Sequence, residues 1–172
     1  MVEILKSFYG RRFGLDDTGA LVLNKDGVQN LLGKYSTAVV TTAQVLALNA
    51  TAVSVLAAPG AGLAIIPRVV AIHKPAGAAY AAIAGGEDLV LKYTDASGAQ
   101  ISSVIEATGF LDQTTAETRV AGMLGDTGAT PASYEPLNAA VVLHLLIGEV
   151  TTGDSDLHVR IWYDIIQTVF TA

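Results

Sequence analysis

Residues 139–166 read AAVVLHLLIGEVTTGDSDLHVRIWYDII, two β-rich runs joined by a short loop of Gly, Thr, Asp and Ser. In the second run Leu157, Val159, Ile161, Tyr163 and Ile165 alternate with His158, Arg160, Trp162 and Asp164. Successive side chains of a strand point to opposite faces, so this run predicts a strand with one buried face. The first run, Ala139 to Ile147, is apolar at nearly every position. It is expected to be covered on both faces, by a second sheet on one side and a partner subunit on the other. The two runs are expected to form a final hairpin. No stretch of the chain has the features of a catalytic loop.

Composition narrows the class. A chain of 172 residues fits one domain, or one domain with an arm, and is long enough to bury a core without disulfides or metals. Hydrophobic residues make up 51% and charged residues 15%, which predicts that some apolar surface is covered in an oligomer or assembly. The net charge of −6 disfavours nucleic-acid binding, whose affinity comes mainly from Lys and Arg against phosphate. With no cysteine, thiol catalysis, disulfides and Cys-based zinc sites are excluded. No apolar run reaches the roughly 18–20 residues of a membrane helix, and MVEILKSFYGRRFG lacks the pattern of a secretory signal. No membrane partner is expected.

Residues 1–36 stand apart. They carry Lys6, Arg11, Arg12, Lys25 and Lys34, half of the 10 basic residues, and are punctuated by glycines. Asp16-Asp17-Thr18-Gly19 is a turn signal between short apolar pieces. An extended N-terminal arm with one or two short strands is expected, ordered by lying on a neighbour. Residues 37–172 form the β-rich body. Strands are expected over Ala38–Thr41, 51–57 and Leu63–His73, with Thr42 capping a helical turn over Ala43–Leu48. Pro67 cannot donate to a ladder, which predicts an edge strand or a bulge. Residues 87–94 and 100–107 flank Asp95-Ala96-Ser97-Gly98 and predict a hairpin. Beyond Thr108, Asp112, Thr114 or Thr115 could cap another helical turn leading into Glu117–Val120. Seven or eight strands at this spacing predict an all-β, antiparallel β-sandwich, jelly-roll-like, with an extended N-terminal arm. No amphipathic helix alternates with the strands, which disfavours an α/β fold.

Candidate chemistry is sparse. His73, His144 and His158 could hold a metal in the manner of a cupin if His144 and His158 met across the last hairpin, but the usual His-x-His pair with a following Glu is missing. Ordinary β-surface or interface histidines are the favoured reading. Pro59-Gly60-Ala61-Gly62 lacks the Gly-Lys-Ser/Thr of a phosphate loop and is read as a tight interstrand loop. Neither Asp16-Asp17-Thr18-Gly19 nor Gly153-Asp154-Ser155-Asp156 has the spacing of a calcium loop. No serine sits in Gly-x-Ser-x-Gly, and nothing in the sequence pairs Glu87 with Asp88, or Glu106 with Asp112, as an acid pair. Arg11 and Arg12 lie among Phe8, Tyr9 and Phe13, a pattern that favours docking onto an acidic protein surface. Trp162 with Tyr163 reads as core plus interface ahead of a sugar platform.

Three stretches carry a resemblance: AQVLALNATAVSVLAAPGAGLAIIP, AGGEDLVLKYTDASGAQISSVIEATGFLDQT and LHLLIGEVTTGDSDLHVRIWYDII. Together with the opening FYGRRFGLDDTGALVLN, they resemble structural proteins of tailed-bacteriophage virions, over most of the chain. The best-matched role is a capsid decoration (cement) protein. The resemblance implies a non-enzymatic jelly roll without cofactor, made in the bacterial host cytoplasm. It implies homotrimers seated on the major capsid protein at the phage head surface, with the arm tying neighbours together. Phe8, Arg11, Arg12 and Phe13 are the expected capsid anchors. Val142, His144, Leu146 and Trp162 are the expected oligomer interface. The alternatives are a tail or fibre component with a receptor- or carbohydrate-binding jelly roll and, behind it, a metal-dependent or glycan-cleaving enzyme.

Overall fold

The computed structural model describes residues 3–5, 12–15, 21–25, 28–29, 34–83, 85–124 and 137–167. The chain divides into two compact units, Met1–Lys34 and Tyr35–Ala172. The first holds β1 (Glu3–Leu5), β2 (Arg12–Leu15), β3 (Leu21–Lys25) and β4 (Val28–Gln29), paired in chain order as one sheet. The expected turn at 16–19 lies outside the described residues, but the strands flanking it pair antiparallel from Leu15↔Leu21 to Arg12↔Asn24. Four strands therefore occupy a segment for which one or two were expected.

The second unit is an antiparallel β-sandwich. Its strands are β5 (Lys34–Val40), β6 (Val53–Leu56), β7 (Leu63–Lys74), β8 (Leu89–Tyr93), β9 (Glu117–Gly122), β10 (Val141–Leu145) and β11 (Leu157–Gln167). One sheet has the order β5-β11-β7-β9, the other β6-β10-β8. The order is nested: the first strand of the body lies beside the last, and the second beside the second-last. Because β5 starts at Lys34, the expected division between residues 36 and 37 cuts a strand.

The expected hairpin around Asp95–Gly98 is present. Tyr93 N–H donates to the Ala99 carbonyl, Ile101 N–H to Leu91, and Ser97 N–H to the Asp95 side chain, an Asx turn. A Cβ on Gly98 would overlap the Tyr93 carbonyl oxygen, so only glycine fits. The returning segment pairs with β8 at Lys92↔Gln100 and Leu89↔Ile105, and meets the end of β9 at Ser102↔Met123. It thus joins the two sheets along one edge.

The final hairpin is a correction. β10 pairs with β6 and β8, and β11 pairs with β7 and β5, so the two runs of 139–166 lie in different sheets. All five residues of β10 are buried within the chain itself, so no second subunit is needed to cover it. In β11 the alternation holds through Tyr163: Leu157, Val159, Ile161 and Tyr163 are buried, while Ile165 is 39% exposed. A register shift between Trp162 and Tyr163 falls opposite Val69 and Pro67. β7 is an internal strand and Pro67 sits at its bulge, past the last β9 pair at Val69↔Gly122. The missing N–H of proline therefore falls where the β11 register already shifts and beyond the β9 ladder.

Two helical expectations shift. The helix α1 (Thr42–Leu46) is capped by Thr41, one residue earlier than expected. Thr41 has extended backbone and exchanges a capping box with Gln44, while the Thr42 hydroxyl and N–H both donate to Asp156. The later turn is built on Ala107–Leu111, and Glu117–Val120 belongs to β9. Alternation wins there because Ala121 points into the core while Thr118, Val120 and Gly122 point out.

The core lies between the sheets. Val70 and Ile72 from β7 and Val159 and Ile161 from β11 share a buried cluster with Leu89 and Leu91 from β8 and Val141, Leu143 and Leu145 from β10. Each such side chain contributes about 1.5–3 kcal/mol by leaving water. One polar contact bridges the layers: the Tyr93 hydroxyl donates to the Ile65 carbonyl at 2.7 Å, linking β8 to β7.

Candidate functional site

The outward face of the β5-β11-β7-β9 sheet gathers most of the accessible aromatic, basic and imidazole side chains described in the body. Strand alternation places His158, Arg160 and Trp162 outward from β11 because their odd-numbered neighbours fill the core. Register then stacks rows across the sheet: His158, His73 and Thr118 form one, and Arg160, Ala71 and Val120 the next. Trp162, Val69 and Gly122 form the third. β5 adds Tyr35, 43% exposed, and Val39, 52% exposed. Val120 is 68% exposed.

Two interactions organise this face. The Arg160 guanidinium lies 5.3 Å from the Tyr35 ring centroid and 5.9 Å from that of Trp162, and the two rings are 6.4 Å apart. Cation–π contacts at exposed sites are worth about 0.5–1 kcal/mol each, a bias of a few-fold toward this arrangement. The His73 and His158 rings lie 6.2 Å apart, and His73 Nδ1 is 2.9 Å from Thr118 Oγ1. Between the two clusters is a shallow depression of about 440 Å³, bordered by Thr37, Val39, His73, His158, Arg160 and Trp162, with Ala71 in its lining. The small side chain of Ala71 leaves the floor of this depression low.

His144 is elsewhere, on β10 in the other sheet, and does not meet His158. Its Nε2 is 3.1 Å from the Asn49 carbonyl, which can only accept, so Nε2 carries the proton. Its Nδ1 is buried without a partner. Burial first, and then the Lys92 charge, push its pKa below the usual histidine value. Asn49 also donates to the Leu145 carbonyl at 2.7 Å, so His144 belongs to a partly buried polar network. Among the described residues no three His, Asp or Glu side chains converge on a metal site.

The acidic loops have structural partners. Asp154 accepts from Ala78 N–H and Asp156 from Thr42, which binds the 151–156 loop to two others. Asp88 accepts from Ala107 N–H, and Glu87 from Gly85 N–H. Glu106 is exposed and Asp112 half-buried, with Asp112 accepting from the Gln113 side chain. Gly60 and Gly62, both at positive φ, turn the chain directly into β7.

Of the expected anchors, Phe8 and Arg11 lie outside the described residues, and Arg12 and Phe13 lie on β2. Of the expected interface, Val142 and His144 are buried within the chain and offer no surface to a second copy. This is a correction: the segment before β6 already packs on β10, with the Asn49 carbonyl 3.1 Å from His144 Nε2 and the Asn49 side chain on the Leu145 carbonyl. Leu146 and Trp162 are half-buried and remain accessible. Sequence reading missed Tyr35, Val39 and Val120. The outward positions of β11 were legible, but which strands flank it was not. No helix among the described residues is long and apolar enough to cross a membrane.

Comparison with known proteins found no matching family, no matching curated protein and no matching solved structure.

Proposed function

We propose that this chain is a structural protein of a tailed-bacteriophage virion: a decoration protein that forms homotrimers and stabilises the head shell by bridging major capsid subunits. The reading assigns it no reaction. The observation that carries it beyond the sequence resemblance is the outward face of the four-stranded sheet. Tyr35, Val39 and Val120 expose apolar area there beside Trp162, as a contact surface requires. The nested strand order, with β5 beside β11 and β6 beside β10, supports the jelly-roll part of this reading. Along the chain, residues 1–34 are followed by the rest of β5, which carries Tyr35 and Val39.

Such a protein works through contact area. A shell under internal DNA pressure fails where subunits separate, and a bridging protein adds surface that must be exposed before they part. Specific interfaces of about 1,600 Å² hold firmly, and three joined in a trimer act with high effective concentration. Residues 1–34 supply the tie to neighbours, with Arg11, Arg12 and the flanking aromatics as anchors.

The test is binding to undecorated capsids. Full-length protein should bind and raise the temperature of shell rupture. A chain lacking residues 1–34 should remain a folded oligomer but fail to bind; full binding by that truncation removes the anchoring role. A monomer at high concentration removes the trimer. A tail or fibre protein that binds carbohydrate is the second reading, favoured by the Tyr35–Trp162 pair beside a basic group. It predicts glycan binding and no affinity for capsids.

A further inference from the structure

We propose that His73 and His158 form a two-imidazole site for a divalent first-row transition-metal ion, with Zn²⁺ the occupant tested below. The two residues are direct partners in the β7–β11 ladder, one on each strand, and both are exposed on the outward face. Their ring centroids lie 6.2 Å apart with the planes tilted by 45°. Metal–nitrogen bonds of about 2.1 Å place two rings on one tetrahedral ion with centroids roughly 5 Å apart. Rotation of the His158 side chain closes that difference, and the strands need not move.

The third strand prepares one of the rings. Thr118 on β9 is the ladder partner of His73, and its Oγ1 is 2.9 Å from His73 Nδ1. When Nδ1–H donates to that hydroxyl, the Nε2 lone pair is free and the ring plane is held. An outer-shell hydrogen bond of this kind orients metal-binding histidines and selects their tautomer. Imidazole nitrogen suits Zn²⁺, Cu²⁺ and Ni²⁺ and is a poor match for Mg²⁺ or Ca²⁺. Water from the open face completes the coordination. The nearest described cation on β11 is Arg160, whose guanidinium lies over the Tyr35 and Trp162 rings. The chain's net charge of −6 favours cation approach.

An ion held this way clips β11 to β7 and stabilises the body in proportion to its occupancy. The experiment is calorimetric titration of tag-free, full-length protein with ZnCl₂, paired with thermal melts with and without the ion. Wild-type protein is expected to take up one Zn²⁺ per chain and to melt higher in its presence. His73→Ala and His158→Ala should each weaken binding by about tenfold or more and abolish the shift in melting temperature. Both side chains are exposed, so the metal-free variants should melt as wild type does. Absence of saturable binding by the wild type, or undiminished binding in both variants, overturns the site.

Discussion

Gly153 packs flat against the ring of Tyr80: a Cβ on Gly153 would lie 2.5–2.7 Å from three Tyr80 ring carbons. Gly153 also has a φ of +84°, where side chains other than hydrogen are strained. The same ring is fixed at its other end, because the Tyr80 hydroxyl donates to the Ser155 carbonyl at 2.5 Å. Tyr80 is therefore gripped by the 151–156 loop at both face and tip. Gly153→Ala should cost about 2–4 kcal/mol from backbone strain and overpacking together. Gly122→Ala, where a Cβ meets open space, should change stability by less than about 0.5 kcal/mol. Chemical denaturation of both variants checks the contrast.

Lys74 closes the same end of the body. It is fully buried, and its Nζ donates to the Gln113 carbonyl at 2.6 Å and the Pro75 carbonyl at 3.3 Å. Lys74→Met keeps the apolar stem but leaves both acceptors without that donor. The expected loss is about 1–3 kcal/mol in a denaturant melt, the cost of unpaired buried polar groups.

His144 makes the body acid-sensitive. Burial and Lys92 hold its folded pKa below the unfolded value of about 6.5. Between those two values the unfolded chain binds the extra proton and the folded chain does not. Its contribution to stability is therefore intact above pH ~6.5, falls as the pH drops toward the folded value, and levels off below it. Melts at pH 7.5, 6 and 5 should show wild type losing more stability than His144→Gln over this range. Parallel pH profiles would remove His144 as the cause.

Trp162 separates stability from binding. It is half-buried on the outward face, touching Tyr35 and Arg160 but not the core between the sheets. Trp162→Ala should cost about 1–2 kcal/mol in a melt. Under the decoration reading it lowers affinity for capsids, measured by co-sedimentation. Loss of glycan binding instead, with capsid affinity unchanged, selects the tail reading.

Much of this molecule was legible in the residues alone. Alternation from Leu157 to Tyr163 marked a one-sided strand, the apolar run at Val141–Leu145 a two-sided one, and Asp95–Gly98 a hairpin. Those signals are local, because side-chain direction and turn geometry depend on a few consecutive residues. Pairing partners are not local. Residues 139–166 look like a hairpin, yet each run pairs with strands far away in sequence, which only burial of both inner faces selects. The same step decided which side chains meet. His73 and His158 are 85 positions apart and become neighbours through register, while His144, only 14 positions from His158, is carried into the other sheet. Local chemistry chose the strands; the packing of two sheets around one core chose their neighbours, and with them the face on which function is proposed.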